Sequence, residues 1–161
     1  MLPRLALAAC ALLLGAPAHA GPPPGRAAPA ANGTGRATFR LGAHLHSLPL
    51  THQEVKAGAG GMTRVTVEYA DDQGNQLQLT FGARAKGVVP DTQITGVVAR
   101  SRAAGAARAA VGQTRCGLTL EALSDQQVSG RATCRPMFAL DGRTPAHDLA
   151  DLEFSVRPRR N

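Results

Sequence analysis

Large apolar residues recur at every second position in several stretches of this chain. Val65, Val67 and Tyr69 alternate with Arg64, Thr66 and Glu68, and Leu77, Leu79 and Phe81 alternate with Gln76, Gln78 and Thr80. Successive side chains of an extended strand point to opposite faces, so each run predicts a strand with one face in a core and one in water. The polar cluster Asp71-Asp72-Gln73-Gly74-Asn75 between them predicts a hairpin of strands 62–70 and 75–82. Phe39, Leu41, Ala43 and Leu45 read as one face of a further extended segment, with Arg40, Gly42, His44 and His46 on the other.

The same period returns towards the C-terminus. Leu118, Leu120 and Ala122 share the face of Cys116, and Val128, Gly130 and Ala132 share that of Cys134, with Ser124 to Gln127 as the turn between them. Ala150, Leu152, Phe154 and Val156 alternate with Asp151, Glu153 and Ser155, after a loop over Asp141 to Pro145. In the middle, Ile94, Val97 and Val98 predict a short strand. Ser101 to Gln113 reads as an irregular basic connection, because Gly105 and Gly112 weaken any helix there. About seven short strands and no amphipathic helix predict an all-β antiparallel sandwich or small barrel.

The N-terminus changes the compartment rather than the fold. Arg4, the apolar run Leu5 to Leu14, a Gly15/Pro17 break and Ala18-His19-Ala20 have the layout of a secretory signal peptide cut after Ala20. Leu7-Ala8-Ala9-Cys10 also resembles a lipobox, but the apolar run continues past Cys10 and little of it precedes. A soluble mature chain beginning at Gly21, periplasmic or secreted, is therefore expected over a lipoprotein. The division is 1–20 signal peptide, 21–35 Pro/Gly-rich disordered leader, 36–157 single β domain and 158–161 basic frayed tail. No stretch of the mature chain is apolar and long enough for a membrane span. The excess of Arg over Lys, with many Ala, Gly and Pro, fits a GC-rich bacterial genome.

Without the signal peptide the chain keeps two cysteines, Cys116 and Cys134. If the hairpin folds about Asp125, these residues face each other across adjacent strands, and an exported protein meets an oxidising compartment. A disulfide is the expectation. A redox Cys-x-x-Cys pair or a zinc site would need a different spacing or more ligands.

Charge narrows the partners. The chain has 18 basic and 11 acidic residues, and loss of Arg4 leaves a mature charge of about +6. Arg100, Arg102, Arg108 and Arg115 fall in a run from 84 to 115 whose one acid is Asp91. They are the candidate surface for an anionic envelope component or protein. Nucleic acid is not expected: the chain has no Trp and one Tyr, too few aromatics for base stacking.

Two histidines at i and i+2 of a strand point the same way, so His44 and His46 form a candidate Zn or Cu pair. His52 and then Glu54 would be further ligands if the chain turned back. Surface histidines on the solvent face of an edge strand are the preferred reading of the pair, since two strand histidines alone do not define a site. Asp71, Asp72 and Asn75 read as turn residues rather than a Ca²⁺ loop. His147-Asp148 suggests part of a triad, but no Gly-x-Ser-x-Gly elbow accompanies it, and nothing marks Ser124 or Ser129 as activated. The expectation is a non-catalytic binding or structural module without a cofactor. A periplasmic Zn/Cu-binding protein using His44, His46 and His52 is the alternative, and a cryptic hydrolase the third.

Overall fold

A computed structural model of the chain describes residues 33–110 and 112–158. The predicted signal peptide, most of the leader and Arg159 to Asn161 lie outside the described residues. Eleven strands follow in chain order: β1 Gly33–Leu41, β2 His44–Ala57, β3 Thr63–Ala70, β4 Gln76–Ala83, β5 Gly87–Val89, β6 Ile94–Ser101, β7 Gly105–Arg108, β8 Arg115–Leu123, β9 Val128–Arg135, β10 Phe138–Ala139 and β11 Leu149–Pro158. They form one antiparallel sheet in the order β10-β7-β6-β4-β3-β2-β1-β11-β9-β8-β5. Single 3-10 turns lie at Ala59–Gly61 and Asp91–Gln93. Among the described residues no helix is long and apolar enough to cross a membrane.

The sheet curls into a half-barrel. β2 makes the curl possible, because it is 14 residues long and serves two partners. Its first half pairs with β1, from Leu41↔His44 to Arg36↔Pro49, and its second half with β3, from Leu50↔Tyr69 to Ala57↔Thr63. A register shift between Leu50 and His52 bends the strand between the two halves. Side chains from β3, β4 and β11 then meet inside the curl. Phe81 and Phe154 pack edge to face with centroids 6.1 Å apart. The buried Tyr69 hydroxyl donates to the Ser155 carbonyl at 3.3 Å. That bond gives the phenol the partner its burial demands, and the same burial pushes the phenol's pKa far up.

The all-β class and the disulfide match the expectation, and the strand number does not: there are eleven strands rather than seven. Periodicity needs several residues to register, and β5, β7 and β10 have three, four and two. The supposed irregular connection after Ser101 contains β7, which pairs with β6 from Ser101↔Gly105 to Val98↔Arg108. Its turn is held by the Ser101 hydroxyl, which accepts from the N–H groups of Ala103 and Ala104. The extended segment expected over 39–46 is also two strands. Gly42 takes φ +59 in a two-residue turn, the left-handed region glycine enters cheaply. Leu45 therefore leaves the Phe39 face and is 61 % exposed.

The leader boundary moves as well. β1 begins at Gly33, so Gly33, Thr34 and Gly35 pair with β11 rather than belonging to the leader, and Pro158 of the expected tail closes the same ladder. Glycine is required there by proximity, since a Cβ at Gly35 would overlap the Ser155 carbonyl. The β8–β9 hairpin pairs Cys116 with Cys134 directly, at a Cα separation of 4.1 Å, and the two form a disulfide. The disulfide fits an oxidising compartment.

Candidate functional site

Three turns meet beside the first half of β2, along the edge that faces away from β1. The β3–β4 turn is built on Asp71, whose carboxylate accepts from the N–H groups of Gln73 and Asn75 (3.0 and 2.9 Å) and from the Asn75 amide (2.7 Å). Those donors, the Asn75 side chain first, hold the Asp71 carboxyl below its ordinary pKa. Asn75 is only 8 % exposed, and its carbonyl oxygen accepts from the Arg102 N–H at 2.9 Å. One buried amide thus locks the β3–β4 turn to the β6–β7 turn. On the far side of the β6–β7 turn, the Ala104 carbonyl takes a hydrogen bond from His147 Nε2 at 2.9 Å. The Gly42 N–H donates to the Asp148 carbonyl, which draws the β1–β2 turn into the same cluster.

Between these turns and β2 lies an open cleft of about 550 Å³, lined by Leu45, His46, Ser47 and Leu48 on one side and by Asp71, Gln73, Asn75, Arg102 and Ala103 on the other. Its volume falls in the roughly 300–1,000 Å³ range of small-ligand sites. It exists because β3 joins β2 only from Leu50 onward, so the edge of β2 from His44 to Pro49 has no ladder partner among the described residues. Two-residue turns close on a hydrogen-bonded pair, here Leu41 and His44. Alternation then aims the backbone groups of Leu45 and Ser47 away from β1 and into the cleft. Arg102 brings a guanidinium with no carboxylate within 4.0 Å among the described residues.

The histidines separate. His46 is half-buried against Phe39, ring centroids 5.1 Å apart, and its Nε2 is buried without a hydrogen-bond partner. Burial pushes its pKa down and His44 adds repulsion, against a smaller attraction from Asp71. His44 and His46 share the face of buried Leu48, but at the open end of the strand His44 is exposed and only His46 is partly covered. The register shift before His52 reverses the alternation, so Gln53 is buried and His52 sits opposite Glu68 on the outer face. Glu54 instead pairs with Lys56. Among the described residues no three His, Cys, Asp or Glu side chains are grouped to hold a metal ion.

Arg100 and Arg108 occupy the outer face of the β6–β7 hairpin, opposite Ala106 and Val98. That makes them diagonal neighbours, about 7–8 Å apart at the backbone, and Arg102 follows Arg100 into the turn. Arg115 is elsewhere: it opens β8, opposite Arg135, seven places from β6 in the order of the sheet. Asp91, the acid of this basic run, accepts from the Cys116 N–H at 3.1 Å. His147 has no activated nucleophile: its Nε2 is committed to a carbonyl, and Asp148 faces Arg135 at 3.7 Å. Ser124 caps its own turn.

Sequence reasoning singled out Arg102 but missed the cleft, because the open edge of β2 arises only when Gly42 turns the chain. A glycine before a small residue inside an alternating run is the signal that points to it. No protein-family model matches the chain, and no curated protein or solved structure is similar to it.

Proposed function

We propose that this chain is an exported, non-catalytic binding module whose β6–β7 hairpin presents a basic surface to an anionic partner. The observation that carries the reading is the set Arg100, Arg102 and Arg108: exposed, on one hairpin, and without a carboxylate within 4.0 Å among the described residues. Arginines left unpaired near one another repel, a cost that an anionic partner relieves. Two acids lie near the hairpin, and Asp141 feels the charge of Arg108, but neither stands within 4.0 Å of an arginine of the set. Asp71 and Asp141 are both held by N–H donors, Asp141 by Arg143 and Thr144. The histidine reading has less support, because His52 faces away from His44 and His46.

The test is capture of the mature protein on immobilised dextran sulfate over a salt gradient. The Arg100→Gln/Arg102→Gln/Arg108→Gln variant, with an unchanged melting curve, is expected to elute at markedly lower salt than the parent. Equal elution of the two proteins removes the reading. Arg84→Gln/Arg115→Gln/Arg157→Gln, which removes three exposed cations off this hairpin, is the control for loss of net charge alone.

A further inference from the structure

The cleft beside β2 combines features that the basic-surface reading leaves unused. The edge of β2 offers backbone groups of Leu45 and Ser47, an apolar flank is supplied by Leu45 and Ala103, and the opposite wall ends in the unpaired Arg102. Backbone N–H and C=O groups along an open strand edge recognise another extended backbone, and an arginine at the end of such a slot recognises a carboxylate. We propose that this cleft is a strand-addition site for an extended polypeptide segment that ends in, or carries, a carboxylate. The segment lies along β2 at Leu45–Leu48 and sets its carboxylate against Arg102. The inference rests on the basic-surface reading and names the partner class for one of its arginines.

Three observations support this occupant. Pro49 has no N–H, so the slot ends where β3 begins and its usable edge is short. Asn75 fixes the backbone of Arg102 through a buried amide, so the point from which the cation reaches is set before anything binds. Leu45 is an exposed large apolar side chain at the mouth, next to the strand groups an added segment would cover. An inorganic anion has no donor for the carbonyls of the edge, and a flat polyanion would leave the cleft empty.

The probe is an acetylated tetrapeptide of alternating valine and threonine with a free C-terminal carboxylate, compared with its C-terminal amide. Each is titrated into the ¹⁵N-labelled mature protein. The acid is expected to shift the amide signals of Leu45, Ser47, Arg102 and Ala103 saturably, and the amide to bind at least ten-fold more weakly. Arg102→Gln erases the difference between the two. Leu45→Pro, which removes an edge N–H, weakens both, and Arg102→Gln carries the test alone if that variant does not fold. Equal binding of acid and amide, no saturable shift, or shifts confined to residues away from the cleft overturns the proposal. Dextran sulfate capture lost only in Arg100→Gln/Arg108→Gln, with the acid still entering the cleft, upholds both readings. Entry of the acid into the cleft without any dextran sulfate capture defeats the surface reading and leaves the cleft in place.

Discussion

Reducing the Cys116–Cys134 bridge opens a loop whose ends are 18 residues apart in sequence. Chain-entropy reasoning gives a loop of that size about 3 kcal/mol of stabilisation, nearly all of it by narrowing the unfolded ensemble. The folded side changes little, because Cys116 and Cys134 are one rung of a ladder that runs from Arg115↔Arg135 to Leu123↔Val128 without needing the bond. A protein unfolded, reduced and refolded under a phosphine reductant keeps both sulfurs in place, so no cavity confuses the comparison. For a domain of this size 1 kcal/mol moves the melting midpoint by about 3–5 °C, so the reduced protein is expected to melt about 10–15 °C below the oxidised one. Paired urea titrations give the free-energy difference, and amide spectra of the two forms in native buffer locate any structural change. A difference below about 1 kcal/mol refutes the loop-entropy argument. So does a spectrum altered well beyond β8 and β9, because the bond would then be shaping the native sheet instead of restraining the unfolded chain.

Other residues make equally direct claims. Asn75→Ala removes the amide shared by Asp71 and the Arg102 N–H; it is expected to cost about 2 kcal/mol and to speed exchange of the Arg102 amide, and unchanged exchange contradicts the lock between turns. Gly35→Ala forces a Cβ onto the Ser155 carbonyl and is expected to cost about 1–3 kcal/mol in urea unfolding; wild-type stability would show that β1 can move away from β11. The His46 imidazole is held below its ordinary value of 6.5 by burial, so the unfolded chain takes up a proton before the folded one. Its contribution is fully present above pH 6.5 and is lost as pH falls from there to the lower folded value. The urea midpoint of the parent is expected to decline from pH 7 to pH 5 more steeply than that of His46→Gln, and parallel slopes would remove His46 from the account.

The hairpins were legible in the sequence because their apolar residues alternate long enough to define a face. The strands of Val65-Val67-Tyr69 and Leu77-Leu79-Phe81 form the expected hairpin, and Cys116 pairs with Cys134 at the expected register. What alternation cannot show is a reversal of phase. Gly42 ends β1 after Leu41, and the chain returns as β2 with His46 beside Phe39 instead of on the face opposite to it. The shift before His52 then reverses the phase a second time, and the three histidines that look collected in sequence part company. β10 was beyond reach for another reason: two residues pair with β7 only because the 139–146 loop is folded on itself, with Ala139 donating to Thr144 and Ala146 to Met137. The arginines were legible as a run but not as a group, since distance along the chain does not say that Arg115 leaves the hairpin of Arg100 and Arg108.

A half-barrel keeps its edges, and how each edge is guarded bears on where a partner docks. β5 ends the sheet with three residues set between Lys86 and Pro90, and β10 ends it with two. Beyond Gln53 the open flank of β2 carries Glu54 and Lys56, an ion pair lying along the strand. Short length, charge and proline are the usual means of refusing an unwanted strand. The first half of β2 differs: between His44 and Pro49 its edge residues are Leu45 and Ser47, neither charged. An unguarded edge is a liability unless something selects what may join it. In the strand-addition proposal Arg102 provides that selection across the cleft, because a segment arriving without a carboxylate leaves the guanidinium partly desolvated and unpaired, whereas one that brings a carboxylate gains a charge-assisted bond. The same arginine that belongs to the basic hairpin therefore turns an edge that would accept any extended strand into one that discriminates.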